Sequence, residues 1–320
     1  MRDATSIGGF KGNPFVVPAP RACQCGGMRA PSRHRGIALL AAIAAVLAAG
    51  CGAGASAAPA EPSVDRFDSA AAFAELRAQV RMGPRPAGSA TSRRLAARLR
   101  AELPRGAYEG VPGGLRNVTG RLPGRGAPIL VGAHYDTKDI PGFVGANDGA
   151  GGVAVVLQLS RELARDRRAC QRAVRFVMFD GEESPPGSRD FLADGLRGSR
   201  VHAARHADGL RAMVLVDFVA DRDLRIPRES SSDRGLWDGL RSAARSVGAG
   251  GVFPDLTGPL IYDDHTPFLQ AGVPSIDLID FDYPYFHTRA DALDKVSAGS
   301  LDLVGETLVA FLGRLRNETC

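Results

Sequence analysis

The stretch from Ile129 to Asp148, I-L-V-G-A-H-Y-D-T-K-D-I-P-G-F-V-G-A-N-D, constrains this chain more than any other. An apolar, strand-like run stops at His134-Tyr135-Asp136. A loop then delivers Asn147-Asp148 to the start of a glycine-rich and then apolar helical pattern. Imidazole and carboxylate groups placed this way are natural ligands for a divalent ion such as zinc. They also fall where an open α/β sheet keeps its sites, beyond the carboxyl ends of its strands.

Periodicity on either side supports that architecture. Asp68 to Val80 carries apolar residues at helical spacing, with Asp68 or Ser69 as a cap. Gly83 to Ser89 is a turn-rich break, and Ser92 to Leu103 is a second helix ended by Pro104. Leu115–Leu122 and Ile129–Ala133 read as strands joined by Pro123-Gly124-Arg125-Gly126. Val153–Arg165 reads as a buried helix. Ala173–Phe179, Arg211–Phe218 and Ser275–Ile279 read as further strands, and Leu236–Val247 and Leu301–Leu315 as helices. Strands alternating with helices, with no boundary over residues 66–316, predict a single α/β domain. Its sheet should be mostly parallel, twisted and flanked by helices.

The formal charge of +5 is uneven: residues 1–50 hold six Lys/Arg and one Asp, and the remainder is balanced at 34 and 34. That leaves no electrostatic case for nucleic acid as a partner. Arg29, Arg33 and Arg35 precede an apolar run from Ile37 to Ala49, then Gly50-Cys51, so residues 1–51 read as an export leader. The run is shorter than the ~18–20 residues of a spanning helix. Leu47-Ala48-Ala49-Gly50-Cys51 resembles a bacterial lipoprotein cleavage site, with Cys51 the lipidated residue. An ordinary signal ending near Ala58 is the alternative, and Met28 is an alternative start. The expected location is the cell envelope, lipid-anchored, or the medium, with 52–65 as a flexible tether and 66–320 as the folded domain. The membrane would be touched only through that anchor. Cys170 and Cys320 are the cysteines left in the folded part, too few for a disulfide framework.

Chemistry-bearing groups recur at strand ends: His134, then Glu182-Glu183 after Phe179-Asp180-Gly181, then Asp217, with His287 further on and Asp148 at a helix start. Such carboxylates gathered at one sheet edge repel one another without a cation. Adjacent glutamates point different ways, so one can hold metal while the other serves as a general acid/base. His202 and His206, four apart in a basic segment, suit a metal-binding face but read as a solvated helix. Trp237 reads as core, His265 as a loop support and Asp136 as an orienter of His134. Tyr283, Tyr285 and Phe286 suit either a pocket lining or packing beneath the His287 loop.

His134-Tyr135-Asp136, Asn147-Asp148-Gly149-Ala150, Phe179-Asp180-Gly181-Glu182-Glu183, Asp217, Asp264-His265-Thr266-Pro267-Phe268 and His287-Thr288 resemble, in order, the motifs of the M28 zinc peptidases. The glutaminyl-peptide cyclotransferases share that fold, a zinc aminopeptidase-like, phosphorylase/hydrolase-like sandwich. The resemblance covers about residues 66–316. For a two-zinc aminopeptidase it implies His134, Asp148, Glu183, Asp217 and His287 as ligands, Asp148 bridging, and Glu182 as base. For a cyclase it implies one zinc on Asp148, Glu183 and His287. Glu182 would then move the proton, beside a network containing Asp217 and Asp263.

Lys138, Phe143-Val144-Gly145-Ala146, the double Asp263-Asp264 and Ile226-Pro227-Arg228-Glu229 lean toward bacterial cyclase homologues. Phe286, where cyclases usually have Trp, and Asp277, where the animal enzymes have His, depart from that pattern. The expected substrate is a peptide or protein N-terminus. The expected activity is glutaminyl cyclisation, with aminopeptidase hydrolysis and an inactive binding module on the same fold as alternatives. Oligomeric state is not legible.

Overall fold

The computed structural model describes residues 64–166 and 170–318. The leader over 1–51 with Cys51, most of the 52–65 tether, and Cys320 lie outside the described residues; Cys170 is disulfide-bonded. In chain order the elements begin α1 (Ser69–Arg81), α2 (Ala90–Glu102), β1 (Ala107–Val111), β2 (Leu115–Leu122), β3 (Arg125–His134), α3 (Ala150–Arg165) and β4 (Arg172–Phe179). They continue α4 (Phe191–Asp194), α5 (Arg197–His206), β5 (Ala212–Asp217), α6 (Arg234–Ser246), α7 (Thr266–Gln270), β6 (Ser275–Ile279) and α8 (Ala298–Asn317). Asp68 caps α1 by accepting from the Ala71 amide at 2.8 Å, and Ser89 caps α2 by accepting from Ser92 at 3.0 Å.

The strands form one sheet ordered β1-β2-β4-β3-β5-β6. β4, β3, β5 and β6 run parallel, while β1 and β2 join as an antiparallel flank. The Pro123–Gly126 link is short enough for a hairpin, yet β4 lies between β2 and β3. β3 starts four residues earlier than its apolar run, with a register shift between Arg125 and Ile129. β1 has no apolar signature because most of it is exposed or half-buried.

Both faces of the parallel strands are covered, which is why they read as unbroken apolar runs. Ile129, Val131, Ala133, Val214 and Val216 face a core built with α1, α2, α3, α6 and α8. Leu130, Met213 and Leu215 face the other way, against Ala203 of α5 and Phe268 of α7. Among the described residues no helix is long and apolar enough to cross a membrane.

Gly152 sets how closely α3 approaches β5. A Cβ there would lie 2.1 Å from the Val216 carbonyl oxygen and 3.1 Å from the Ala133 Cβ. The contact seats the start of α3, with Asp148 just before it, beside the end of β5. Gly152→Ala is expected to push helix and strand apart and to destabilise the fold by about 1–3 kcal/mol, read from a denaturant titration.

Candidate metal centre

The parallel strands all end at the same edge. Their carboxyl ends deliver His134 from β3, the turn Asp180–Glu183 from β4 and Asp217 from β5. β4 and β5 leave β3 on opposite sides, so β3 marks the topological switch point where such sheets carry their sites. Asp148 sits just before the N-terminus of α3, where the helix dipole favours a carboxylate. His287 arrives from the loop after β6. Its φ is 50°, a left-handed conformation uncommon outside glycine.

Asp148 is shared between two imidazoles. Its Oδ1 lies 3.4 Å from His134 Nε2, and its Oδ2 lies 3.5 Å from His287 Nε2. Glu183 Oε1 lies 3.1 Å from His287 Nε2, and Asp217 Oδ1 lies 3.4 Å from His134 Nε2. One ligand atom each from Asp148, Glu183 and His287 fall within 4.8 Å of one another. Glu182 stays beside this cluster, its Oε2 3.8 Å from His134 Nδ1.

These residues fit a divalent ion. Both nitrogens of His134, Asp148 Oδ2 and Glu183 Oε1 are buried without a hydrogen-bond partner, an arrangement native interiors rarely tolerate. The donor set of imidazoles and carboxylates is that of zinc. Burial and the charge of Glu183 push Glu182 well above the ordinary carboxylate range. Burial, then Asp263 and Asp148, raise Asp217 to about 7 against the opposing His134. Burial works to lower His134, but Asp217, Asp136 and Asp148 hold its imidazolium well above the usual value. Burial opposes ionisation of Glu183 too, yet His287 and Lys138 bring it down to about 2.

Other buried groups support this centre, some expected from the sequence and some not. Asp136 lies 3.7 Å from His134 Nδ1, and its oxygens accept from the amides of Glu182 at 3.2 Å and Glu183 at 3.3 Å. Asp291 does the same for the Asp148 loop, accepting from Asn147 N at 2.8 Å, Asp148 N at 3.1 Å and the Tyr283 hydroxyl at 2.7 Å. Tyr283 is thus packing beneath the His287 loop. Arg85 is completely buried and donates to the carbonyls of Val144 at 2.8 Å and Gly145 at 3.2 Å. Burial lowers its pKa to about 10, with Asp148, Asp291 and Asp136 pulling the other way. Lys138 Nζ donates to Glu183 Oε2 at 2.8 Å and to Ser184 Oγ at 3.0 Å. Arg197, opening α5, donates to the carbonyls of Gly181 at 3.2 Å and Glu183 at 2.9 Å.

Asp263, Asp264 and Asp277 are buried as well. Asp263 and Asp264 both add to the upward push on Glu182. His265 lies 3.6 Å from Asp277 Oδ2, 3.4 Å from Glu229 Oε2 and 3.2 Å from Ser231 Oγ. Trp237 is core. Phe286, 39% exposed, stacks on His287 with ring centroids 3.8 Å apart, and Phe281 lies 5.2 Å from Phe286. His202 and His206 do not form a solvated helix face: His202 is buried, and both rings meet Glu109 of β1.

The model of peptidase family M28 matches residues 117–312, well over half of the chain. The chain belongs to peptidase family M28. Among its curated relatives, the glutaminyl-peptide cyclotransferase of Bothrops jararaca is 26% identical over 225 residues, 58% of this chain and 61% of the relative. Aminopeptidase YwaD of Bacillus subtilis (strain 168) is 26% identical over 188 residues, 57% of this chain and 40% of the relative. The match therefore spans about three fifths of the one curated relative and two fifths of the other. The crystal structure of an Acidobacteriales bacterium glutaminyl cyclase superposes with a TM-score of 0.69 at 31% identity, over 82% of this chain and 99% of that one.

The raised groups give stability a sign in pH. Asp217 at about 7 and Asp180 at about 6, the latter raised by burial and then by Asp136, bind protons when folded that they release when unfolded near pH 4. Stability from these carboxyls is present in acid and falls as pH rises from about 4 to 7. His134, raised as well, keeps its contribution below about 6.5 and loses it as pH climbs through its folded value. Chelator-stripped protein is expected to melt at a lower temperature at pH 8 than at pH 5.5. Added zinc should narrow that gap in the same thermal scan.

Proposed function

We propose that this chain is a zinc-dependent glutaminyl-peptide cyclotransferase, closing the N-terminal glutamine of a peptide or protein to pyroglutamate with release of ammonia. The observation that carries this reading is the convergence of Asp148, Glu183 and His287 on one point, with Glu182 beside them. Among the described residues, Asp217 joins no such convergent group at this site, although it lies near His134. The cyclase relatives in sequence and structure support the same choice.

Asp148, Glu183 and His287 would hold one zinc, which when bound polarises the glutamine side-chain carbonyl as a Lewis acid. The chain's own groups do the rest. Glu182 takes a proton from the substrate's α-amine as the new bond to the side-chain carbonyl carbon forms. It returns that proton to the departing nitrogen, which leaves as ammonia. Burial and neighbouring carboxylates give Glu182 the raised pKa that such a carrier needs. Asp263, which also pushes Glu182 upward, keeps it ready to be reprotonated. The exposed rings of Phe281 and Phe286 wall the approach to His287. They offer an apolar surface to the glutamine methylenes but no indole N–H.

A two-zinc aminopeptidase is the second reading. His134 Nε2 lies 3.4 Å from both Asp148 Oδ1 and Asp217 Oδ1, which outlines a second seat, and the Bacillus subtilis relative has that activity in its name. The intact ligand and base positions weigh against an inactive binding module. The leader pattern before Cys51 supports export, and mass spectrometry of the mature N-terminus tests it.

Incubating the zinc-loaded protein with a Gln-initiated peptide is expected to give pyroglutamyl peptide and ammonia, at one functional zinc per chain. Release of free amino acid without pyroglutamate would overturn the cyclase assignment in favour of hydrolysis. Glu182→Gln is expected to lower kcat by about 10²–10⁴-fold while zinc content holds. Activity that survived this change would remove Glu182 from the mechanism.

A further inference from the structure

A second set of metal-ligating side chains meets where α5 packs against β1. His202 and His206 are one turn apart on α5, so their rings share a face, with centroids 4.6 Å apart. Glu109 of β1 faces both. Its Oε2 lies 2.7 Å from His202 Nδ1, and its Oε1 lies 2.9 Å from His206 Nε2. One ligand atom from each of the three falls within 4.8 Å of the others. Asn117 Nδ2 donates to Glu109 Oε2 at 2.8 Å, the kind of outer hydrogen bond that orients a ligating carboxylate.

We propose that Glu109, His202 and His206 form a second, structural site for a divalent ion of the zinc, copper and nickel class. Two imidazoles and one carboxylate are donors for that class, whereas magnesium and calcium prefer oxygen alone. In a tetrahedral zinc site with bonds of ~2.0–2.1 Å, ligand atoms stand about 3.3 Å apart. The contacts of 2.7 Å and 2.9 Å to the two Glu109 oxygens are shorter than that, so both open as the ion enters and replaces the N–H protons that now face Glu109. His206, with its side chain 41% exposed, opens the site to water, which fills the remaining position. Arg205 Nη1, 3.5 Å from Glu109 Oε1 and donating to the Gly110 carbonyl at 2.9 Å, is the competing cation; its side chain is 50% exposed.

The site reaches the main centre through short links. Asn117 also donates to the Gly198 carbonyl at 2.9 Å and accepts from the Asp180 amide at 3.1 Å. Helix α5 opens with Arg197, which grips the Gly181 and Glu183 carbonyls. An ion here clamps the helix and strand that hold the Asp180–Glu183 turn. The proposal stands whichever reaction the main centre performs.

The test compares the full chain with His206→Ala and Glu109→Gln. Each is stripped with chelator, reloaded with zinc, dialysed and measured for zinc per chain, with thermal melts before and after loading. The native chain should hold one ion more than either variant and show a zinc-induced rise in Tm that both variants largely lose. His206 is partly exposed and Glu109→Gln conserves shape. A cooperative thermal melt in each variant reports that it is folded. Equal zinc content in the native chain and the folded variants overturns the proposal.

Discussion

Negative charge held out of water is the constraint around which this structure is arranged. Asp136, Asp148, Glu182, Glu183, Asp217, Asp263 and Asp264 are all buried near the end of β3. Ionised carboxylates in such a place repel one another and forfeit hydration, so they persist only with compensation. His134 and His287 supply part of it, Lys138 another part, and backbone amides a third, through Asp136 and Asp291. The unpartnered oxygens of Asp148 and Glu183 point to a cation as what completes the balance.

Arg85 shows how far that balance extends. Its guanidinium is buried under the loop that carries Asp148, bonded to carbonyls rather than to a carboxylate. It shapes the loop and places positive charge near Asp148 and Asp291 without occupying their oxygens. The loop can thus present Asp148 forward while its backbone is held from behind by Arg85 and from the side by Asp291. Gly152 completes the placement by letting α3 rest directly on β5.

Legibility in the sequence followed distance along the chain. His134, Glu182, Glu183 and Asp217 stand at the ends of apolar strands, and Asp148 opens a helix, so local pattern alone exposes them. The parallel core was visible for the same reason. Asp291 was not, because its bond to Asn147 spans 144 positions and its neighbours look like any surface turn. Arg85 sits in a Gly/Pro break where a charged residue is normally solvated. His202 and His206 carried a recognisable spacing, but the carboxylate that turns them inward is Glu109, 93 positions before His202 on a strand without apolar alternation.

Asp148 touches two imidazoles through its two oxygens, at 3.4 Å and 3.5 Å. A carboxylate is rigid, so these two contacts behave as the arms of a see-saw. Tilting one oxygen toward His134 draws the other away from His287. A shift of the Asp148 side chain therefore alters both halves of the centre.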